Sequence, residues 1–159
     1  MDQAELARRI PKAAFAFRGF NVTNLGRTSE LLAHPAYGPV VRRHLEEASE
    51  IHAEATGQKI NLVARVRQGR ETTLRTYSQA LSLIVAAELA QLELAEQFHG
   101  IRFSEAALCF GYSLGEATAL IAGGVYRSDA VLLPPLALAR DCARLAGNVK
   151  MGIVFSRGP

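Results

Sequence analysis

The chain is an α/β protein by its pattern, and three observations carry that expectation. Two short apolar runs, Ala13-Ala14-Phe15-Ala16-Phe17 and Ala106-Ala107-Leu108-Cys109-Phe110, are bounded by prolines, glycines or polar residues in the manner of strands. Between them lies a long apolar-faced segment with helical spacing. Directly after the second run comes Gly111-Tyr112-Ser113-Leu114-Gly115-Glu116, a turn that leads at once into a helical pattern. Strand, turn and helix in that order give G-x-S-x-G its meaning as a nucleophile elbow; a turn with an incidental serine is the alternative. The glycines allow a tight turn and close strand–helix packing, and the amide of Leu114 lies at a helix N-terminus, where it can face an oxyanion.

The elements follow in order. Residues 1–12 are a loose or helical lead-in. Residues 13–17 form a buried strand between Pro11 and Gly19, and a loop rich in turn formers runs from Gly19 to Gly26. Pro39 can open a helix over about 39–55, with Val40, Val41, His44, Leu45 and Ala48 near one face and Gly57 as its stop. Residues 60–75 alternate poorly and carry several arginines, as a surface connection with one helical turn does. Thr76 to about Phe98 is the strongest helix, its face formed by Leu81, Ile84, Val85, Leu89, Leu92 and Ala95, with Gly100 beyond it. So broad an apolar face suits a central, buried helix. The elbow strand is next, buried like the first, and its helix runs from Leu114 to about Ala122. Ser128 can cap a further helix that Pro134-Pro135 should kink or divide, the second piece ending at Gly147. Met151 to Phe155 reads as a last strand.

At 159 residues the chain fits one domain with a real core, and 49% hydrophobic with 21% charged residues is ordinary for a soluble protein. No apolar run approaches the roughly 20 residues of a membrane span, and the N-terminus lacks a signal-like apolar stretch. Cys109 and Cys142 suggest neither a disulfide framework nor a metal cluster, which points to a reducing cytoplasm. The net charge of +3 suits an anionic partner. Arginine pairs interleaved with acids, without aromatics spaced for stacking, argue against nucleic acid.

The run Gly111-Tyr112-Ser113-Leu114-Gly115-Glu116-Ala117-Thr118-Ala119-Leu120-Ile121-Ala122-Gly123-Gly124 resembles the active-serine segment of malonyl-CoA:acyl carrier protein transacylases, and of the acyltransferase domains of polyketide and fatty acid synthases. That family has G-H-S-x-G-E followed by a helix of small residues. Phe15-Ala16-Phe17-Arg18-Gly19 stands where the family's first strand ends, Leu45-Glu46-Glu47-Ala48 on its next helix, and Ser78-Gln79-Ala80-Leu81 where it has T-Q-P-A-L. The resemblance implies a parallel-sheet acyltransferase core of the patatin-like hydrolase type. Residues 13–148 would be part of its large subdomain, and 149–159 the first strand of a small ferredoxin-like subdomain, at whose start the chain stops. It further implies ping-pong transfer of a malonyl-type acyl group from acyl-CoA to the phosphopantetheine of an acyl carrier protein, with no bound cofactor or metal, no membrane and no nucleic acid.

By the same resemblance Ser113 is the nucleophile, and the backbone amides of Leu114 and Phe20 form the oxyanion hole. Tyr112 replaces the family's histidine before the serine. The family's carboxylate-binding arginine aligns with Ala137, and Arg140, one helical turn on, can face the same way, so Arg140 and Tyr112 are the substrate-binding candidates. The family's general base is a histidine well downstream of the serine. His34, His44, His52 and His99 all lie upstream and read as surface or capping residues. Two alternatives stand beside acyl transfer. A patatin-like serine hydrolase would need Asp129 or Asp141 as partner, and a degenerate acyltransferase would serve as a docking module. Glu116 reads as a structural carboxylate in a first helical turn, and Cys109 as packing.

Overall fold

A computed structural model of the chain describes residues 3–149. The expected strand at 151–155 lies outside them. The elements are α1 (Gln3–Arg9), β1 (Ala14–Phe17), α2 (Thr28–Ala33), α3 (Gly38–Thr56), α4 (Leu62–Arg67), α5 (Tyr77–His99), β2 (Leu108–Gly111), α6 (Gly115–Ala122) and α7 (Ser128–Ala146). Short 3-10 turns stand at Ile10–Lys12, Leu74–Thr76 and Phe103–Glu105. The protein is mixed α/β, and the two strands pair in parallel with Ala14 opposite Leu108 and Phe17 opposite Gly111. Everything from α2 to α5 forms the crossover between them.

The core divides around α5. Leu83, Ala86, Ala90 and Leu94 pack with Val41, Leu45, Leu62 and Val66 in one cluster. Leu81, Ile84 and Val85 pack with Ile51, Leu114, Leu132 and Leu136 in the other. A helix that is apolar on both sides belongs in the middle, and α5 sits there as its sequence requires. Helices α3 and α5 end where expected, on Gly57 and Gly100 in the left-handed conformation.

Three expectations are corrected. Residues 62–67 are not a surface connection, because Leu62, Val63 and Val66 of α4 are buried in the first cluster. Three buried residues there are too few to register as periodicity, and Asn61 caps the helix, its Oδ1 accepting from the amide of Ala64 at 2.7 Å. Helix α7 is unbroken across Pro134-Pro135, and its N-cap is Arg127 rather than Ser128. Leu132 and Leu136 on either side of the prolines are both buried and hold the helix to α3 and α5. That packing outweighs the lost backbone bonds. Finally, the strands are not buried on both faces. Ala14 and Ala16 pair with Leu108 and Phe110, and these two leave 57% and 50% of their surface open. The opposite face is covered in part by Phe103, whose ring meets Phe15 and Phe17.

Candidate active site

The elbow forms as its spacing predicts. Ser113 sits between β2 and α6 with φ of 54°, and it is the one non-glycine residue with positive φ among those described. That conformation costs an L-residue roughly 1–2 kcal/mol. It persists because both glycines are locked by close backbone. A Cβ on Gly111 would lie 2.1 Å from the amide nitrogen of Glu116, and one on Gly115 would lie 2.2 Å from the carbonyl oxygen of Phe17. Strand, turn and helix therefore press together with no room for a methyl group, and Ser113 is left exposed at the apex.

The loop after β1 comes up against this apex. A Cβ on Gly19 would lie 3.1 Å from the Cβ of Ser113 and 3.6 Å from the amide nitrogen of Leu114. The chain thus brings Gly19, the residue before Phe20, beside the serine. Neither the Phe20 nor the Leu114 amide donates to an acceptor among the described residues. A free amide on the residue that follows an exposed hydroxyl can receive a developing oxyanion.

Side chains that sequence reasoning missed hold this loop in place. The Arg18 guanidinium donates to the carbonyls of Thr23 and Asn24, at 3.1 and 2.5 Å. The buried Asn24 amide donates to the Asn21 carbonyl at 2.7 Å and to Thr72 at 3.0 Å, and accepts from the Asn21 amide. Glu88, midway along α5, accepts from the Arg18 backbone amide at 2.7 Å and from the Thr118 hydroxyl of α6 at 2.5 Å. One carboxylate therefore ties the loop to the elbow helix. Burial pushes the Glu88 carboxyl above the ordinary carboxylate range, while Thr118 and Arg18 oppose the shift. A lone acid in an apolar helix interior was its only sequence signal.

The remaining candidates are placed as follows. Glu116 stands exposed in the first turn of α6, where a carboxylate suits the helix dipole. Tyr112 is 70% exposed and has no side-chain partner among the described residues. Arg140 lines a cleft of about 840 Å³ together with Tyr77. Tyr77 in turn meets Phe20 edge to face at 5.1 Å, so Arg140 is one aromatic pair removed from the loop and not in contact with Ser113. Cys109 and Cys142 are both free thiols. No group of three metal-ligating side chains occurs among the described residues, and no helix there is long and apolar enough to cross a membrane.

No family model, curated protein or solved structure matches the chain.

The histidines are not uniformly at the surface. His34 stacks on Tyr37 at 4.0 Å and accepts from the Ala36 and Tyr37 amides, exposed in the loop before α3 as expected. His44, half-hidden, bonds Glu93 at 2.9 Å. His52 is fully buried and hydrogen-bonded to Ser78. These two correct the expectation, because α3 turns both toward α5. No histidine contacts Ser113. Asp129 binds Arg127 and the Ala130 amide, Asp141 binds Arg144, and neither bonds the serine.

Proposed function

We propose that this chain contributes the nucleophile and oxyanion hole of a serine acyltransferase that takes its acyl group from an acyl-CoA thioester. The observation that carries the reading is Ser113, held exposed at φ 54° against Gly19 and followed by the free amide of Leu114, with the free Phe20 amide next along the loop. Ser113 Oγ attacks the thioester carbonyl, the oxygen settles against the two amides, and CoA leaves as the thiol. The acyl group then passes to the phosphopantetheine thiol of a carrier protein. The malonyl-type acyl group, the patatin-like core and the carrier acceptor rest on the resemblance of residues 111–124 to the transacylase segment.

A serine hydroxyl needs a base near neutral pH. None of the described residues fills that role at Ser113, so the base belongs to chain outside the described residues or to a partner. The open face of Leu108 and Phe110 fits a further layer packed against it, since parallel sheets are ordinarily covered on both faces. The absent base equally favours the docking reading, in which the same surface binds a carrier protein without reacting.

The test is intact-mass analysis of the full-length protein from its own source after incubation with malonyl-CoA and acetyl-CoA. A stable acyl adduct that maps to Ser113 and disappears in Ser113→Ala is expected. Carrier binding that survives Ser113→Ala, with no adduct from any acyl-CoA, would replace transfer with docking.

A further inference from the structure

The serine that already has a base is a different one. His52 on α3 and Ser78 in the first turn of α5 lie 3.1 Å apart, Nε2 to Oγ. The direction of that bond follows from the other ring nitrogen. Nδ1 faces the carbonyl oxygen of Gln58 at 3.1 Å, and a carbonyl only accepts. The Thr56 hydroxyl, 3.2 Å from Nδ1, gives its own hydrogen to the His52 carbonyl at 2.7 Å and so can only accept from the ring. The proton therefore sits on Nδ1. Nε2 presents a lone pair, and Ser78 donates to it. Burial holds the imidazole below the ordinary histidine range, which keeps it neutral and able to accept a proton near neutral pH.

Ser78 is partly exposed, and it lines the same cleft of about 840 Å³ that holds Arg75, Arg140 and Arg144. No carboxylate among the described residues lines that cleft. Arg144 lies 3.5 Å from Asp141, while Arg75 and Arg140 make no ion pair with the described residues. The cleft therefore carries uncompensated positive charge beside a hydroxyl that is hydrogen-bonded to a neutral base. The N-terminal end of a 23-residue helix adds to it.

We propose that Ser78 and His52 form a second nucleophile–base pair, independent of Ser113, which cleaves small anionic esters or thioesters held by the arginines of this cleft. In the acylation step Ser78 Oγ forms a bond to the carbonyl carbon as its proton passes to His52 Nε2. The carbon–oxygen or carbon–sulfur bond then breaks, and the leaving group departs with the electron pair and takes the proton from His52. Water reverses the sequence: its oxygen bonds the acyl carbon, its proton goes to Nε2, and the proton returns to Ser78 as the acid is released. Gln58 supplies the orienting acceptor through its carbonyl, in the position a carboxylate holds in a serine triad.

The experiment is labelling of the full chain with a fluorophosphonate, mapped by peptide mass spectrometry. An adduct on Ser78 is expected, undiminished in Ser113→Ala and reduced at least tenfold in His52→Gln. Its rate in the unsubstituted protein should fall on acidification through the depressed pKa of His52, as the imidazole takes a proton. Tyr77 and the three arginines are the other titratable groups lining the cleft. The same protein should hydrolyse p-nitrophenyl hemisuccinate at least fivefold faster than p-nitrophenyl acetate, with Arg75→Ala/Arg140→Ala erasing the preference. No Ser78 adduct in protein with native circular dichroism overturns the proposal. So does hydrolysis of p-nitrophenyl hemisuccinate no faster than that of p-nitrophenyl acetate, which needs no variant to fold. An adduct on Ser113 alone overturns it while leaving the acyltransferase reading intact.

Discussion

At Ser113 the backbone is held where an L-residue is disfavoured, and the strain and the exposure of the hydroxyl have one cause. Replacing Ser113 by glycine removes the Cβ clash but frees the unfolded chain, so a net gain of about 0.5–1 kcal/mol is expected in chemical denaturation, together with loss of acylation. Ser113→Ala should abolish acylation without that gain. Glu88 acts in the opposite sense. Glu88→Ala strands the fully buried Thr118 hydroxyl and the Arg18 amide, and a loss of about 1–3 kcal/mol in urea unfolding is expected. Its removal should also slow acylation, since the Phe20 amide is on the loop that Glu88 anchors. The motif announced Ser113, but nothing local announced Glu88. Its partners are 70 and 30 residues away, and its importance comes from where those residues fold.

Among the elements, the strand–turn–helix unit is the least tolerant of change. Gly115→Ala puts a methyl group 2.2 Å from the Phe17 carbonyl, so α6 must move away from β1 and carry the Leu114 amide with it. A loss of at least about 2 kcal/mol is expected by thermal melting, with acylation reduced further than stability alone predicts. Helix α7 gives a prediction of the other sign. Pro134 lies inside a continuous helix and is exposed, so Pro134→Ala restores a backbone donor and should raise the melting temperature. Elements with strong local patterns, such as α3, α5 and their glycine caps, were legible in the sequence. Helix α4 was not, because three buried residues in six carry too little periodicity. The integrity of α7 was hidden as well, because it depends on Leu132 and Leu136 meeting α3 and α5.

Across the whole molecule the buried titratable groups set the pH response. His52 has a folded pKa below its ordinary 6.5, so its neutral form stabilises the fold fully above that value. The contribution is lost as pH falls from 6.5 toward the depressed folded pKa. Urea midpoints measured from pH 8 to 5 should therefore decline below about 6.5, and the decline should flatten in His52→Gln. Glu93 adds a second loss at lower pH, since its hydrogen bond to Arg43 holds its carboxyl below the ordinary 4.5. Glu88 opposes both: its raised carboxyl favours the fold on the acid side, and that share is lost as pH rises through the folded pKa.

By itself the sequence determined the α/β class, the central helix and the elbow with its exposed serine. These depend on side-chain periodicity and on glycine spacing within a few residues, which local sterics enforce wherever the chain goes. Only the tertiary structure decided that Gly19 stands beside Ser113, that Glu88 joins loop to helix, and that one sheet face stays open. It alone paired His52 with Ser78 across 26 positions of sequence. Such contacts follow from how α3, α5 and α7 pack around two clusters, and the sum of that burial leaves no local signature in any one segment.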